Sequence, residues 1–247
     1  MLPLLLLGGT GFSPTATDFD GSTNYITRTS ALTGVSNHAD GLMSFWMRLD
    51  GGNSTNLAVL DMNDSGLNNF IRRNSSGKME ISWANAGGTG TFGYYGSTTL
   101  TSGSAWKHII LAWRWNATLV QQMYIDSVAE TLTDTSNVGG PDTFYYNASD
   151  FGYRIGDNYG SNTSGSKFNG CMAEFYFAPG QYLDLSVAAN IQKFRSTSGR
   201  PVSLGVDGSK PTGTAPAIYF SGTFASNLGA GGAFTSSGEL RACSTKP

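Results

Sequence analysis

Along most of the chain, apolar and polar residues alternate with a period of two. In Lys78-Met79-Glu80-Ile81-Ser82-Trp83 every second residue is apolar, the pattern of a half-buried β-strand. Residues 70–73 precede it, and Asn74-Ser75-Ser76-Gly77 between them predicts a hairpin loop. Residues 41–49, 57–62, 123–125, 128–132, 153–156, 171–177 and 217–221 read as further strands, with a last one near 233–235. Residues 106–115 (WKHIILAWRW) are apolar on both faces, so this strand belongs inside a sheet covered from both sides. One helix is predicted, over 187–195. Ser186 is its N-cap, Val187, Asn190, Ile191 and Phe194 share one face, and Ser198-Gly199 ends it. Strands separated by turns, with one short helix, predict an all-β antiparallel sandwich of two sheets.

Composition narrows the function. Only 13% of the 247 residues are charged, while glycine numbers 33, serine and threonine together 54, and aromatics 12%. Such a chain has a neutral, hydroxyl-bearing surface and too many aromatics to be disordered. With 15 Lys+Arg, a net charge of −2 and no basic run, nothing supports nucleic-acid binding or a basic membrane-surface helix. No apolar run approaches the length of a spanning helix, so no membrane insertion is expected.

Three segments are expected: an N-terminal arm or edge strand (1–17), the sandwich (18–199), and a Pro/Gly/Ser-rich C-terminal extension (200–247) that packs on the sandwich or on a partner. The apolar stretch at 4–7 is short and has no basic residue before it. It reads as an arm rather than a secretory signal, which implies synthesis in a cytosol. Cys171 and Cys243 are expected to be buried thiols, because a secreted disulfide framework uses more cysteines. Six Asn-x-Ser/Thr sequons occur, at Asn53, Asn63, Asn74, Asn116, Asn147 and Asn162. Roughly four would arise by chance in this composition, so they carry little weight.

Candidate chemistry is sparse. Glycoside hydrolysis needs paired carboxylates. No E-x-D-x(x)-E triplet occurs, and Glu174 stands alone between Ala173 and Phe175, so it reads as a structural residue bonding to a neighbouring loop. His38 and His108 lack partners at metal-ligand spacing. There is no G-x-S-x-G elbow. Residues 160–167 nearly match a phosphate loop but end Ser-Lys rather than Lys-Ser/Thr. No cofactor is expected. The calcium candidates read from spacing are Asp61 and Asn63, which begin an EF-hand-like spacing that fails at Arg72. Glycan binding is the live chemistry, since sugars stack on aromatics and hydrogen-bond to Asn, Asp and backbone groups. Tyr94, Tyr95, Tyr145, Tyr146, Asn158 and Tyr159, in Gly- and Asn-rich stretches, are the candidates.

Several short motifs occur in a telling order. They are Phe19-Asp20-Gly21-Ser22 with Tyr25-Ile26, Ser44-Phe45-Trp46, Trp106-Lys107-His108-Ile109, Tyr124-Ile125-Asp126-Ser127, Ile155-Gly156, Phe168-Asn169-Gly170-x-Met172-x-Glu174, and Asp184-Leu185-Ser186. Over about 18–195 the chain resembles the laminin-G-like, concanavalin-A-like jelly-roll superfamily. Two departures are Ser127 where that family has Gly and Ala173 where it has Asp, and the resemblance implies calcium binding by the loop aspartates Asp126 and Asp157. The segment Pro201-Val202-x-Leu204-Gly205-x-Asp207-Gly208-Ser209, with Pro211-Thr212-Gly213-x-Ala215-Pro216 and Asn227-x-Gly229, is similar to the ends of tailed-phage and prophage proteins carrying this jelly roll. The resemblance implies a non-enzymatic virion protein on capsid or tail (a decoration, fibre or spike), in contact with other virion proteins. It also implies homo-oligomeric assembly and adhesion to a cell-surface glycan. The alternative is a secreted, extracellular lectin, and the third reading is an atypical glycoside hydrolase.

Overall fold

The computed structural model describes residues 12–64, 67–116, 118–137, 142–146, 152–158 and 167–247, with backbone alone at 63–64 and 67–68. The first strands are β1 (Thr17–Asp20), β2 (Tyr25–Arg28), β3 (Asp40–Leu49), β4 (Leu57–Asp64), β5 (Leu67–Arg73), β6 (Met79–Ala84) and β7 (Thr91–Tyr95). Next come β8 (Lys107–Trp115), β9 (Leu119–Ile125), β10 (Val128–Ala129), β11 (Thr133–Asp134), β12 (Gly152–Ile155) and β13 (Asn169–Pro179). A short α1 (Ala188–Ile191) precedes β14 (Ile218–Phe220), β15 (Thr235–Ser237) and β16 (Arg241–Ala242).

Two antiparallel sheets face each other. The first has the order β10-β9-β8-β3-β13-β1-β16, with β14 also on β13, and the second β11-β7-β6-β5-β4-β12-β2-β15. Alternation explains the layers. Inward residues of both sheets, among them Met43, Phe45, Ile71, Ile81, Trp83, Phe92, Leu111, Trp113 and Phe177, form one core cluster. Gly41 is required there, because a Cβ would meet the Trp113 ring at 2.2 Å. The segment β8 is covered on both faces, as its sequence predicts. The opening Phe-Asp-Gly motif is a turn. The Asp20 carboxylate accepts from the backbone N–H of Ser22, Thr23 and Asn24 and from the Thr23 hydroxyl. Burial raises its pKa, but these bonds outweigh it and hold the carboxyl well below its usual range.

The first sheet is also covered on its outer face. Leu42, Ile110, Ala112, Tyr176, Ala178 and Tyr219 of the sheet pack against Leu185, Ile191, Phe194 and Leu204. Residues 217–242 add β14 and β16 to the first sheet and β15 to the second, and Phe220, Phe224 and Phe234 enter the main core. The change of partner along β13 happens at a bulge: residues 169–172 pair with β1 and 175–177 with β14. Glu174 occupies the bulge at φ +48°. Its carboxylate accepts from the hydroxyls of Tyr219 (2.9 Å) and Ser221. Burial nonetheless pushes its carboxyl above the normal range.

Three expectations need correction. The helix is shorter than predicted: its N-cap is Val187, without a side-chain cap bond, and Val187 is exposed. The physical reason is that Ser186 bonds through both its N–H and its hydroxyl to the Asp184 carboxylate, leaving no cap for the helix. Ile191 and Phe194 still face the core. The cysteines are not free thiols, since Cys171 and Cys243 form a disulfide that ties β13 to the C-terminal segment across 72 residues. The strand expected near 233–235 begins at Thr235 as β15, after Phe234 turns inward, and it is followed by a further strand, β16. Of the segment 1–17 expected as an arm or edge strand, residues 1–11 lie outside the described residues and Thr17 begins β1.

Arg73 holds one end of the sandwich together. It is 1% exposed, and its guanidinium donates to the carbonyls of Gly52, Asn53, Thr55 and Leu100. Replacing it with Met leaves these carbonyls without their donor. Arg73→Met is expected to lose about 3 kcal/mol or more in a urea denaturation.

His108 lies on the covered outer face of the first sheet, bonded through Nε2 to Ser44 Oγ at 2.8 Å. Burial, aided by Arg195 and opposed by Asp126, lowers its pKa from 6.5 to about 3. The unfolded chain therefore takes up a proton near pH 6.5 that the folded chain refuses until about 3. His108 contributes stability above pH 6.5 that is lost as the pH falls, at up to ~1.4 kcal/mol per pH unit. Glu174 acts with the opposite sign, so the comparison that isolates His108 is with His108→Gln. The variant is expected to show a flatter stability profile than the parent between pH 6.5 and 5 in denaturant titrations.

Candidate functional site

Among the described residues, no apolar cluster covers the outer face of the second sheet. Inward residues of β5, β6 and β7 (Ile71, Ile81, Trp83, Phe92, Tyr94) are buried, so the alternate residues Phe70, Arg72, Glu80, Ser82 and Tyr95 point outward and remain part-exposed. The register aligns them in rows. Arg72 stands opposite Glu80, Glu80 opposite Tyr95, and Tyr95 opposite Thr133. The next row is Thr27, Arg154, Asp61, Phe70 and Ser82. Arg72 Nε donates to Glu80 Oε2 at 2.9 Å, and its guanidinium carbon lies 3.9 Å from the Phe70 ring centroid. The arginine is thus fixed by a charge-assisted bond and a cation–π contact. Among the described residues, the Arg72 Nη groups, Glu80 Oε1 and the Tyr95 hydroxyl have no protein hydrogen bond. A guanidinium, a carboxylate and an aromatic ring stand on three successive strands, about 4.8 Å apart. Such a row can bind a polar ligand that has an apolar face.

A second group lies where β12 ends. Asp157 accepts from Arg154 Nη1 at 3.1 Å and pairs with Lys167 Nζ at 2.8 Å. Both cations lie 4.6 Å from the Tyr25 ring centroid. Asn158 belongs here through its backbone, its carbonyl accepting from Arg154 and its N–H donating to Asp157.

The tyrosines predicted to bind glycan do not assemble into one platform. Tyr94 and Tyr146 are fully buried and are corrected to core residues. Tyr94 is an inward position of β7, and Tyr146 accepts a 2.6 Å bond from Trp113 Nε1 beneath the Trp83 ring. Burial raises both phenol pKa values. Tyr145 is half-buried against the core, its carbonyl bonded to Trp83 Nε1. Tyr95 faces outward on the open sheet, and Tyr159 lies outside the described residues.

The calcium candidates are already engaged. Asp126 pairs with Lys107 Nζ at 2.8 Å and accepts from the His108 N–H. Asp157 holds Arg154 and Lys167. Asp61 stands across the ladder from Arg154. Asn63 is in β4, and its side chain is not described. Asp18, Asp50 and Cys171 also lie close together, but the Cys171 sulfur is in the disulfide and Arg48 binds Asp50.

No family model matches the sequence, and no curated protein matches it. Solved structures do. A candidate carbohydrate-binding protein from Bacteroides ovatus superimposes with a TM-score of 0.62 at 19% identity, covering 95% of this chain and 61% of its own. The likeness shows a shared fold, a two-sheet antiparallel jelly roll. This chain spans less than two thirds of that protein's length. Two further likenesses are looser. A heptameric SAP-like pentraxin from Limulus polyphemus gives a TM-score of 0.48 at 10% identity, covering 72% of this chain and 81% of its own. Domains LG4-5 of the mouse laminin α1 chain give 0.48 at 17%, covering 70% and 43%.

With these carboxylates neutralised by lysine and arginine, a calcium ion must displace an existing ion pair. Millimolar calcium, compared with EDTA, is therefore expected to leave the thermal midpoint unchanged in differential scanning fluorimetry. A calcium-dependent rise would place an ion among these loops.

Proposed function

We propose that this chain is a non-enzymatic carbohydrate-binding module that holds glycan on the open face of its second sheet. The observation that carries this reading is the cross-strand row Arg72–Glu80–Tyr95, with Arg72 pre-oriented on Phe70. Hydroxyls need donors and acceptors fixed beside an aromatic surface, and this row supplies them without reorganisation. The name of the Bacteroides ovatus protein of like fold agrees with it. Against hydrolysis, Glu80 is engaged by Arg72, and Glu174 is 3% exposed and bonded to hydroxyls. A proton-shuttling pair of acids needs freer carboxylates than these.

The disulfide bears on the compartment. Disulfides persist in oxidising surroundings and are rare in a reducing cytosol. It favours the secreted lectin over the virion component, whose support is the C-terminal motif resemblance alone. Single sites on a shallow face bind weakly, so useful affinity comes from several copies acting together.

A glycan array probed with the intact protein tests this reading. The parent is expected to bind a subset of glycans, Tyr95→Ala and Arg72→Ala to lose at least tenfold in affinity, and Tyr145→Ala to bind like the parent. An empty array would remove the proposal.

A further inference from the structure

We infer that the Arg72–Glu80–Tyr95 row selects neutral sugars through a vicinal pair of hydroxyls and rejects acidic ones. This rests on the glycan-binding reading above and says which glycans it admits. The Arg72 guanidinium is held at two points, by Phe70 against its face at 3.9 Å and by Glu80 Oε2 on Nε at 2.9 Å. Its Nη donors are the part left over, and Glu80 Oε1 is an acceptor beside them. A hydroxyl both donates and accepts, so two adjacent hydroxyls satisfy the pair, one receiving from Arg72 and the other giving to Glu80. A uronate carboxylate or a sulfate only accepts. It could take the Arg72 donors, but that would bring its charge against the Glu80 carboxylate, which has no proton to offer it.

The charge around the row agrees. Three of the cations on or beside this face, Arg72, Arg154 and Lys167, are matched by Glu80, Asp61 and Asp157, and Lys78 is turned to the Ser97 carbonyl and the Thr99 hydroxyl. Among the described residues these charges largely cancel, which leaves little positive field to draw an acidic polymer, and the whole chain carries −2. Tyr95 is one strand beyond Glu80 and presents its ring on the same face. It would lie under the CH face of a sugar whose hydroxyl edge meets Arg72 and Glu80. Both charged side chains are ordered before the ligand arrives, so little rotamer freedom remains to be lost on binding.

The test is isothermal titration of the full chain with two sets of oligosaccharides. One is neutral (gluco-, manno-, galacto- and xylo-oligomers) and the other acidic (oligogalacturonate, hyaluronan fragments, sulfated galactans). Glu80→Gln and Arg72→Gln are run beside the parent, with circular dichroism melts confirming that both variants fold. Binding is expected in the neutral set alone. Each variant should lose at least tenfold toward the neutral ligand, as should a monodeoxy ligand missing one of the two hydroxyls. Acidic ligands that bind the parent as tightly as neutral ones would overturn the inference while leaving the glycan-binding reading in place. So would a neutral ligand whose affinity both folded variants leave unchanged. Silence across both sets would overturn the glycan-binding reading itself.

Discussion

A two-sheet sandwich has four faces, and each must be buried or made wettable. Here two of them meet in the core, where Trp83, Trp113, Phe92, Phe144, Tyr146 and Phe177 interlock. A third, the outer face of the first sheet, carries a broad apolar patch of Leu42, Ile110, Ala112, Tyr176 and Ala178 beside the buried Ser44–His108 pair. The segment 182–204 lies in this position because that face cannot be left to water. Once residues 182–204 have covered it, the outer face of the second sheet is, among the described residues, the broad surface that remains, and the side chains of its cross-strand rows are charged, hydroxylic or aromatic. Function is read from that residue of the packing problem.

The same constraint explains the buried polar devices. Glu174 and Arg73 are costly groups to bury, and each is satisfied by groups from distant loops. Glu174 fastens β14 to β13 where the latter exchanges neighbours. Arg73 collects carbonyls from two loops that would otherwise close the sandwich end with unpaired backbone. The disulfide fastens the last strand, β16, which has two residues and little packing of its own.

Much of this was legible in the chain. Period-two alternation located the strands, and the doubly apolar 106–115 segment located the centre of the first sheet. Order and spacing of short motifs gave the jelly roll. What alternation could not reveal is which of two adjacent residues faces inward once a loop intervenes. Tyr94 and Tyr95 looked equivalent in a Gly-rich stretch, yet β7 turns the first into the core and the second outward. Arg72 and Glu80 were missed although the hairpin implied them. Counting outward from the 74–78 turn, with Arg73 opposite Met79, pairs Arg72 with Glu80 on the polar face. The cysteines misled because two residues 72 apart carry no spacing signal, and their pairing is a product of tertiary contact. The helix start misled because Asp184 competes for Ser186.

That ligand recognition belongs to the strand face, rather than to the loops at the sandwich ends, is the claim on which the functional account stands. A two-dimensional NMR titration of labelled protein with whichever neutral oligosaccharide binds would locate it directly. The account predicts shift changes centred on Phe70, Arg72, Glu80, Ser82 and Tyr95. Changes confined to the turns around Asp126 and Asp157, with those five residues unmoved, would contradict it.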